Sequence, residues 1–210
     1  MIRSEAVQNQ LRKAIAAHNL ILELHPEGTF KDTTRNKMFH ALCDLVTDHF
    51  GAIILLVKTS QHDGSAFALL RPLMETCIRA FWVLYIAEEA ELISIANSDQ
   101  GFPGFDTARL ALENFFQEGK LKLFRIDKAV VRTLHGFTHS GLEQIVNRYD
   151  SNHGILPTYR ENDVLELLNQ AARFAIMAAL EVIQQIEGSP EKPSPKAKAL
   201  VERFLQIANN

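Results

Sequence analysis

The chain has 210 residues, 47% hydrophobic and 22% charged, with a formal net charge of -3. That is the composition of an ordinary soluble globular protein, long enough for one domain with a sizeable core or one domain plus an appendage. A polycationic whole-surface nucleic-acid binder is excluded, so any contact with nucleic acid has to come from a local patch.

Almost every segment reads as helix. Ser4 to Leu24 carries apolar residues at helical spacing (Leu11, Ile15, Leu20, Ile21, Leu22), with Ser4 placed to cap, and His25-Pro26-Glu27-Gly28 ends it. Asp32 or Thr33 caps a second helix running to about Ser60. Its β-branched Ile53–Val57 run continues a helical pattern without a turn signal. After His62-Asp63-Gly64, Ser65 caps a third helix to about Ala87, with a kink expected between Ala68 and Pro72. This stretch is also the most membrane-like, but Arg71, Glu75 and Arg79 interrupt it and favour a buried protein helix.

Shorter helices follow, Glu88 to Asn97 and, capped by Asp106, to about Gln117, with the Gly101–Phe105 loop between them. Ile126 to Gln144 is expected as one helix, and Ser151 to Pro157 as irregular chain. Glu161 opens a long helix to about Ile186, with Ala171-Ala172 and Ala178-Ala179 allowing close packing. Residues 188–195 read as a Pro-rich linker between a helical domain over 1–187 and a short C-terminal helix over 196–210. No pair of segments shows strand alternation, so an all-α bundle with a C-terminal helical appendage is expected. Cys43 and Cys77 lie in separate apolar segments and read as buried thiols of a reducing compartment. With no apolar signal core at the N-terminus, a cytoplasmic protein without membrane contact is expected.

The chemistry concentrates in one run, Val130 to Gly141. On a helix advancing about 100° per residue, His135 and His139 fall within roughly 60° of Arg132. One fixed cation and two groups that titrate near neutrality suit phosphate chemistry: the cation holds a phosphoryl group and an imidazole moves a proton. Upstream, Lys120, Lys122, Arg125 and Lys128 stand against Asp127 alone, which reads either as a basic patch or as a solvated helix face. Two histidines at i, i+4 can share an ion, but the nearest acids are Asp127 and Glu143 and no carboxylate lies on the same face in the two preceding turns. No metal site and no resident cofactor is expected.

Arg71, Glu75 and Arg79 repeat at i, i+4, i+8 in an apolar helix. They read either as a structural ion-pair ladder or as binding residues, with Glu75 reaching Arg132 or a histidine across the bundle. Nothing groups His18, His25, His40, His49, His62 or His153.

An all-helical bundle with Arg132-x6-His139 on a late helix resembles the HEPN superfamily, and the Arg71-Pro-Leu-Met-Glu75-Thr-x2-Arg79-x2-Trp82 stretch is similar to a helix of bacterial HEPN-like proteins. The likeness covers Asp32 to Glu187. It implies metal-independent RNA cleavage, often in toxin–antitoxin or defence systems, with Arg132 and His139 catalytic and His135 positioning the substrate or serving as a second proton carrier. It also implies RNA as substrate, an antitoxin-like protein partner and a homodimer whose interface holds the site. Thr133 stands where the family often has Asn, Asp or His, and many relatives are not catalytic. Three readings therefore stand: a ribonuclease, a silent module binding a nucleotide or a partner protein, and a structural bundle in which the Arg132/His139 face is core.

Overall fold

A computed structural model of the chain describes residues 3–59, 62–117, 128–139, 141–150, 154–155, 158–189 and 192–209. Among these residues the architecture is an all-α bundle with one minimal hairpin. α1 (Glu5–Glu23) and α2 (Thr34–Lys58) begin where the sequence places caps. The Ser4 hydroxyl accepts from the Val7 amide, and the Thr33 hydroxyl accepts from the Asn36 amide. α2 buries Phe39, Cys43, Val46, Phe50, Ile53 and Val57, a 3–4 residue rhythm that keeps the β-branched run helical and packs it on α3 and α8. By length and composition alone, α2 passes for a membrane-crossing helix, rather than the 66–87 stretch.

α3 (Asp63–Tyr85) is the central helix and packs on α2, α5, α6 and α8. It starts two residues before the expected Ser65 cap. Asp63 is the reason: its buried carboxylate receives two hydrogen bonds from Arg3, at 2.9 and 2.6 Å, so a tertiary ion pair fixes the start. At the other end Arg35 donates to the carbonyls of Val83 and Ala87, which satisfies acceptors that the helix leaves open.

α4 (Glu89–Ala96) and α5 (Phe105–Gln117) follow. Asp106 lies inside the first turn of α5 instead of capping it, and it accepts from Arg109. The expected single helix over Ile126–Gln144 is two helices, α6 (Lys128–Thr138) and α7 (Leu142–Val146), separated near Gly141; Ile126 and Asp127 lie outside the described residues. A two-residue antiparallel pair reaches into the expected irregular stretch: β1 (Tyr149–Asp150) precedes it and β2 (Gly154–Ile155) lies within it, where Gly154 has φ +82°. No alternation signal is possible in strands of two residues, so the sequence pattern missed them.

α8 (Glu161–Glu187) lays its alanines against the core, and α9 (Pro195–Asn209) returns across α1 and α8. The described ends of the segment read as a linker, residues 188–189 and 192–195, contact the bundle. Ser194 is buried, its amide donates to Gln184, and its hydroxyl caps α9 by accepting from the Lys196 amide. Pro195 then opens the helix with its φ preset and no amide to satisfy. Ion pairs from Lys196 to Glu187 and from Arg203 to Glu23 hold α9 to the bundle. Both cysteines are free and buried, and burial pushes both thiols well above their ordinary range.

Candidate functional site on helix α6

α6 is amphipathic, and its two faces divide cleanly. Leu134 and Phe137 are buried, while Arg132, Thr133, His135 and His139 are exposed. The reading in which the Arg132/His139 face is core therefore fails on burial. α6 ends at Thr138, yet the His139 amide still donates to the His135 carbonyl, so the helical phase carries through to His139. The two imidazole rings stand 4.3 Å apart, centroid to centroid. His135 and His139 thus stand side by side, with Arg132 exposed one turn before them on the same helix.

Three contacts fix α6 to α3. Phe137 stacks on Phe67 at 4.8 Å, and Phe67 stacks in turn on Tyr159. The Thr138 hydroxyl lies 2.9 Å from the Leu134 carbonyl and 3.4 Å from the Ala68 carbonyl. Ala68 is four residues before Pro72. Proline has no amide hydrogen, so this carbonyl lacks its helical donor, and α3 runs on through Pro72 as one helix. The orphan acceptor thus becomes a docking point for α6. Gln144 completes the attachment: its amide donates to the Gly64 carbonyl at 2.8 Å and to the Phe137 carbonyl at 3.0 Å, while its oxygen accepts from Tyr159. A Cβ at Gly64 would stand 2.5 Å from the Tyr159 oxygen and 2.7 Å from that of Gln144, so a larger residue would displace these two side-chain ends.

Arg71 joins the α6 face from α3. Its guanidinium donates to Nδ1 of His135 and lies over the Phe105 ring, 6.0 Å from the centroid. The structure thus brings Arg71 of α3 to His135, with His139 beside it, while Arg132 is exposed one turn earlier on α6. Glu75 takes the other course. Its carboxylate accepts from Arg79 on the same helix at 2.6 Å, and Arg79 lies over Phe102. The two readings left open for Glu75 resolve toward the within-helix ion pair, and Glu75 and Arg79 are not brought to the histidines by any hydrogen bond or ion pair.

Lys120, Lys122 and Arg125 lie outside the described residues. Among the described residues no group of three or more His, Cys, Asp or Glu side chains is placed to hold a metal ion.

The profile of a family of unknown function, DUF6988, matches residues 43–206. The chain belongs to the DUF6988 family. The match contains α3, α6 and all four residues of the Arg71/Arg132/His135/His139 cluster. No curated protein and no solved structure matches the chain.

Sequence reasoning missed a second feature of this DUF6988 protein. A cavity of about 340 Å³ opens between α1, α2 and α8 and is lined by Ile21, His25, Phe30, His40, Asp44 and Ile183 among others. None of its lining residues comes from α3 or α6. Phe30 stacks on His40 at 4.1 Å, and burial followed by the nearby His25 holds the His40 imidazole below its ordinary value. His25 precedes α2 and His40 lies within it, so no helical spacing relates them. The His40/Asp44 step of four residues was the one available signal.

Proposed function

We propose that the exposed α6 face binds the phosphodiester of RNA and cleaves it without a metal ion. The observation that carries this reading is the convergence of Arg132, His135 and His139 on one open helix face, with Arg71 added from α3. The likeness to the HEPN superfamily supports it, through Arg132 and His139 at the motif spacing. In this reading the ribose 2′-oxygen attacks phosphorus as an imidazole takes its proton. The P–O5′ bond breaks, leaving a 2′,3′-cyclic phosphate and a 5′-hydroxyl. Arg132 stabilises the charge on the non-bridging oxygens.

The protein acts in this proposal as a cytoplasmic homodimer under the control of an antitoxin-like partner. Support for the dimer comes from the apolar side chains next to the site, Leu142, Ile145 and Val146 on α7, which are largely exposed. A second reading, a silent module that holds a nucleotide or a partner protein, is favoured by Thr133, which stands beside Arg132 in place of the Asn, Asp or His common in the superfamily.

The test is direct. Purified protein is incubated with mixed single-stranded and structured RNA, with and without EDTA, and the new termini are mapped. Cyclic-phosphate ends formed equally well in EDTA support the ribonuclease. Intact RNA with saturable nucleotide binding supports the silent module. Light scattering on the same sample reads the dimer, and a mass near 24 kDa at micromolar concentration, against a chain of 23.7 kDa, refutes it.

A further inference from the structure

The hydrogen bond between Arg71 and His135 determines where a proton sits. A guanidinium has donors only and stays charged throughout the range in which proteins fold. The ring nitrogen facing it, Nδ1 of His135, therefore presents a lone pair. A neutral imidazole then carries its one proton on Nε2, on the ring edge away from Arg71. Phe105 backs the guanidinium from the α5 side, and Phe137 and Thr138 hold α6 in register on α3, so both partners in the contact are themselves fixed.

We infer that Arg71 is a positioning residue that holds His135 as the neutral Nε2–H tautomer, and that His135 serves the site as a fixed hydrogen-bond donor to a phosphate oxygen, not as a second proton carrier. The tautomer follows from geometry alone; its use on phosphate rests on the ribonuclease reading above.

The exclusion from proton transfer works in both directions. Loss of the Nε2 proton would leave an imidazolate, which a neutral histidine does not form near neutral pH. Gain of a proton at Nδ1 would remove the acceptor that Arg71 uses and set two cations in contact. Proton movement therefore falls to His139, one helical turn on, with its ring 4.3 Å from that of His135. As the O2′–P bond forms and the P–O5′ bond breaks, His139 takes the 2′ proton and the 5′-oxygen receives it back. No proton is gained or lost overall. The Nε2–H of His135 and the guanidinium of Arg132 face the charge that develops on the non-bridging oxygens.

Histidine rings in uniformly ¹⁵N-labelled protein report the tautomer through long-range ¹H–¹⁵N correlations, in the absence of RNA. His135→Gln identifies the signals by deleting them. The wild type is expected to show an unprotonated Nδ1 and a protonated Nε2 at His135. Arg71→Ala is expected to move both signals toward a mixture of tautomers. Arg71→Gln, whose amide N–H can also donate to Nδ1, is expected to keep the wild-type pattern without the charge. Arg71→Met retains the packing stem and replaces the alanine variant if that one does not fold by circular dichroism. A protonated Nδ1 in the wild type, or an unchanged tautomer in both Arg71→Ala and Arg71→Met, overturns the assignment. In RNA cleavage, Arg71→Ala should lower kcat by about 10²-fold with KM nearly unchanged, and Arg71→Gln should restore most of it. A wild type that cuts no RNA overturns the ribonuclease reading and the catalytic role of His135 with it, whereas the tautomer stands or falls on the NMR result alone.

Discussion

Replacing Arg132 or His139 with alanine should leave the fold intact and remove the chemistry. Both side chains are exposed, whereas their neighbours Leu134 and Phe137 on the same helix are 6% and 8% exposed. Surface substitutions away from buried networks change stability by about 0.5 kcal/mol or less. Truncating a buried leucine removes transfer energy and leaves a cavity, at about 2–5 kcal/mol. With a urea slope of about 2 kcal/mol/M, Leu134→Ala should lower the unfolding midpoint by roughly 1–2.5 M. Arg132→Ala and His139→Ala should move it by no more than about 0.25 M. Cleavage should behave in the opposite way, with the two exposed positions each losing about 10²–10⁴-fold in rate. Urea melts followed by circular dichroism and a gel assay of RNA cleavage, run on the same preparations, read both quantities. If Arg132→Ala or His139→Ala destabilises as much as Leu134→Ala, the face is structural and the functional reasoning fails.

Three further outcomes test how the fold holds that face. Asp63→Ala strands the Arg3 guanidinium in a site where the pair is only 16% and 7% exposed, so a loss of about 3–5 kcal/mol is expected, with much of it recovered in Arg3→Met/Asp63→Leu; a double variant no better than the single refutes the stranded-charge explanation. Thr138→Val removes the hydroxyl beside the Ala68 carbonyl and should cost about 1 kcal/mol, but less in a Pro72→Ala background, where residue 72 supplies its own amide; equal cost in both backgrounds would mean that the orphan carbonyl plays no part. His18, His40 and His49 are all held below the ordinary value of 6.5, chiefly by burial. The unfolded chain then binds more protons than the folded one just below that pH, so stability present at pH 7 is lost as pH falls through 6.5 toward the lowered values; a urea midpoint that does not move between pH 7 and pH 5 would contradict it.

Helix identity was legible because it is a local property. Caps at Ser4 and Thr33 and the apolar rhythm of α2 and α8 can be counted along the chain, and each was found where the count put it. The errors fell where a distant partner overrides the local signal. Ser65 is a good cap on paper, yet Arg3, some sixty residues earlier, draws the start of α3 back to Asp63. Ser189 and Ser194, at the two ends of a stretch with linker composition, are likewise tied to Gln184, a partner that composition does not show. α6 and α7 were read as one helix because Gly136 and Gly141 interrupt an otherwise apolar pattern without a proline to mark the stop.

The site shows the same boundary at the level of single atoms. Arg132, His135 and His139 share a helix, so their common face follows from the helical repeat, and the structure keeps it to His139 even though α6 ends one residue before. Arg71 shares a helix with Glu75 and Arg79, and the same repeat suggested a ladder of three charges. Only the second rung forms, Glu75 with Arg79. Arg71 is released from that ladder because Glu75 is already engaged, and α6 is seated one turn away by the carbonyl that Pro72 leaves open. The proline that reads as a defect in α3 is therefore part of why an arginine on α3 meets a histidine on α6. Spacing within one helix cannot express that relation, because it depends on where a second helix docks.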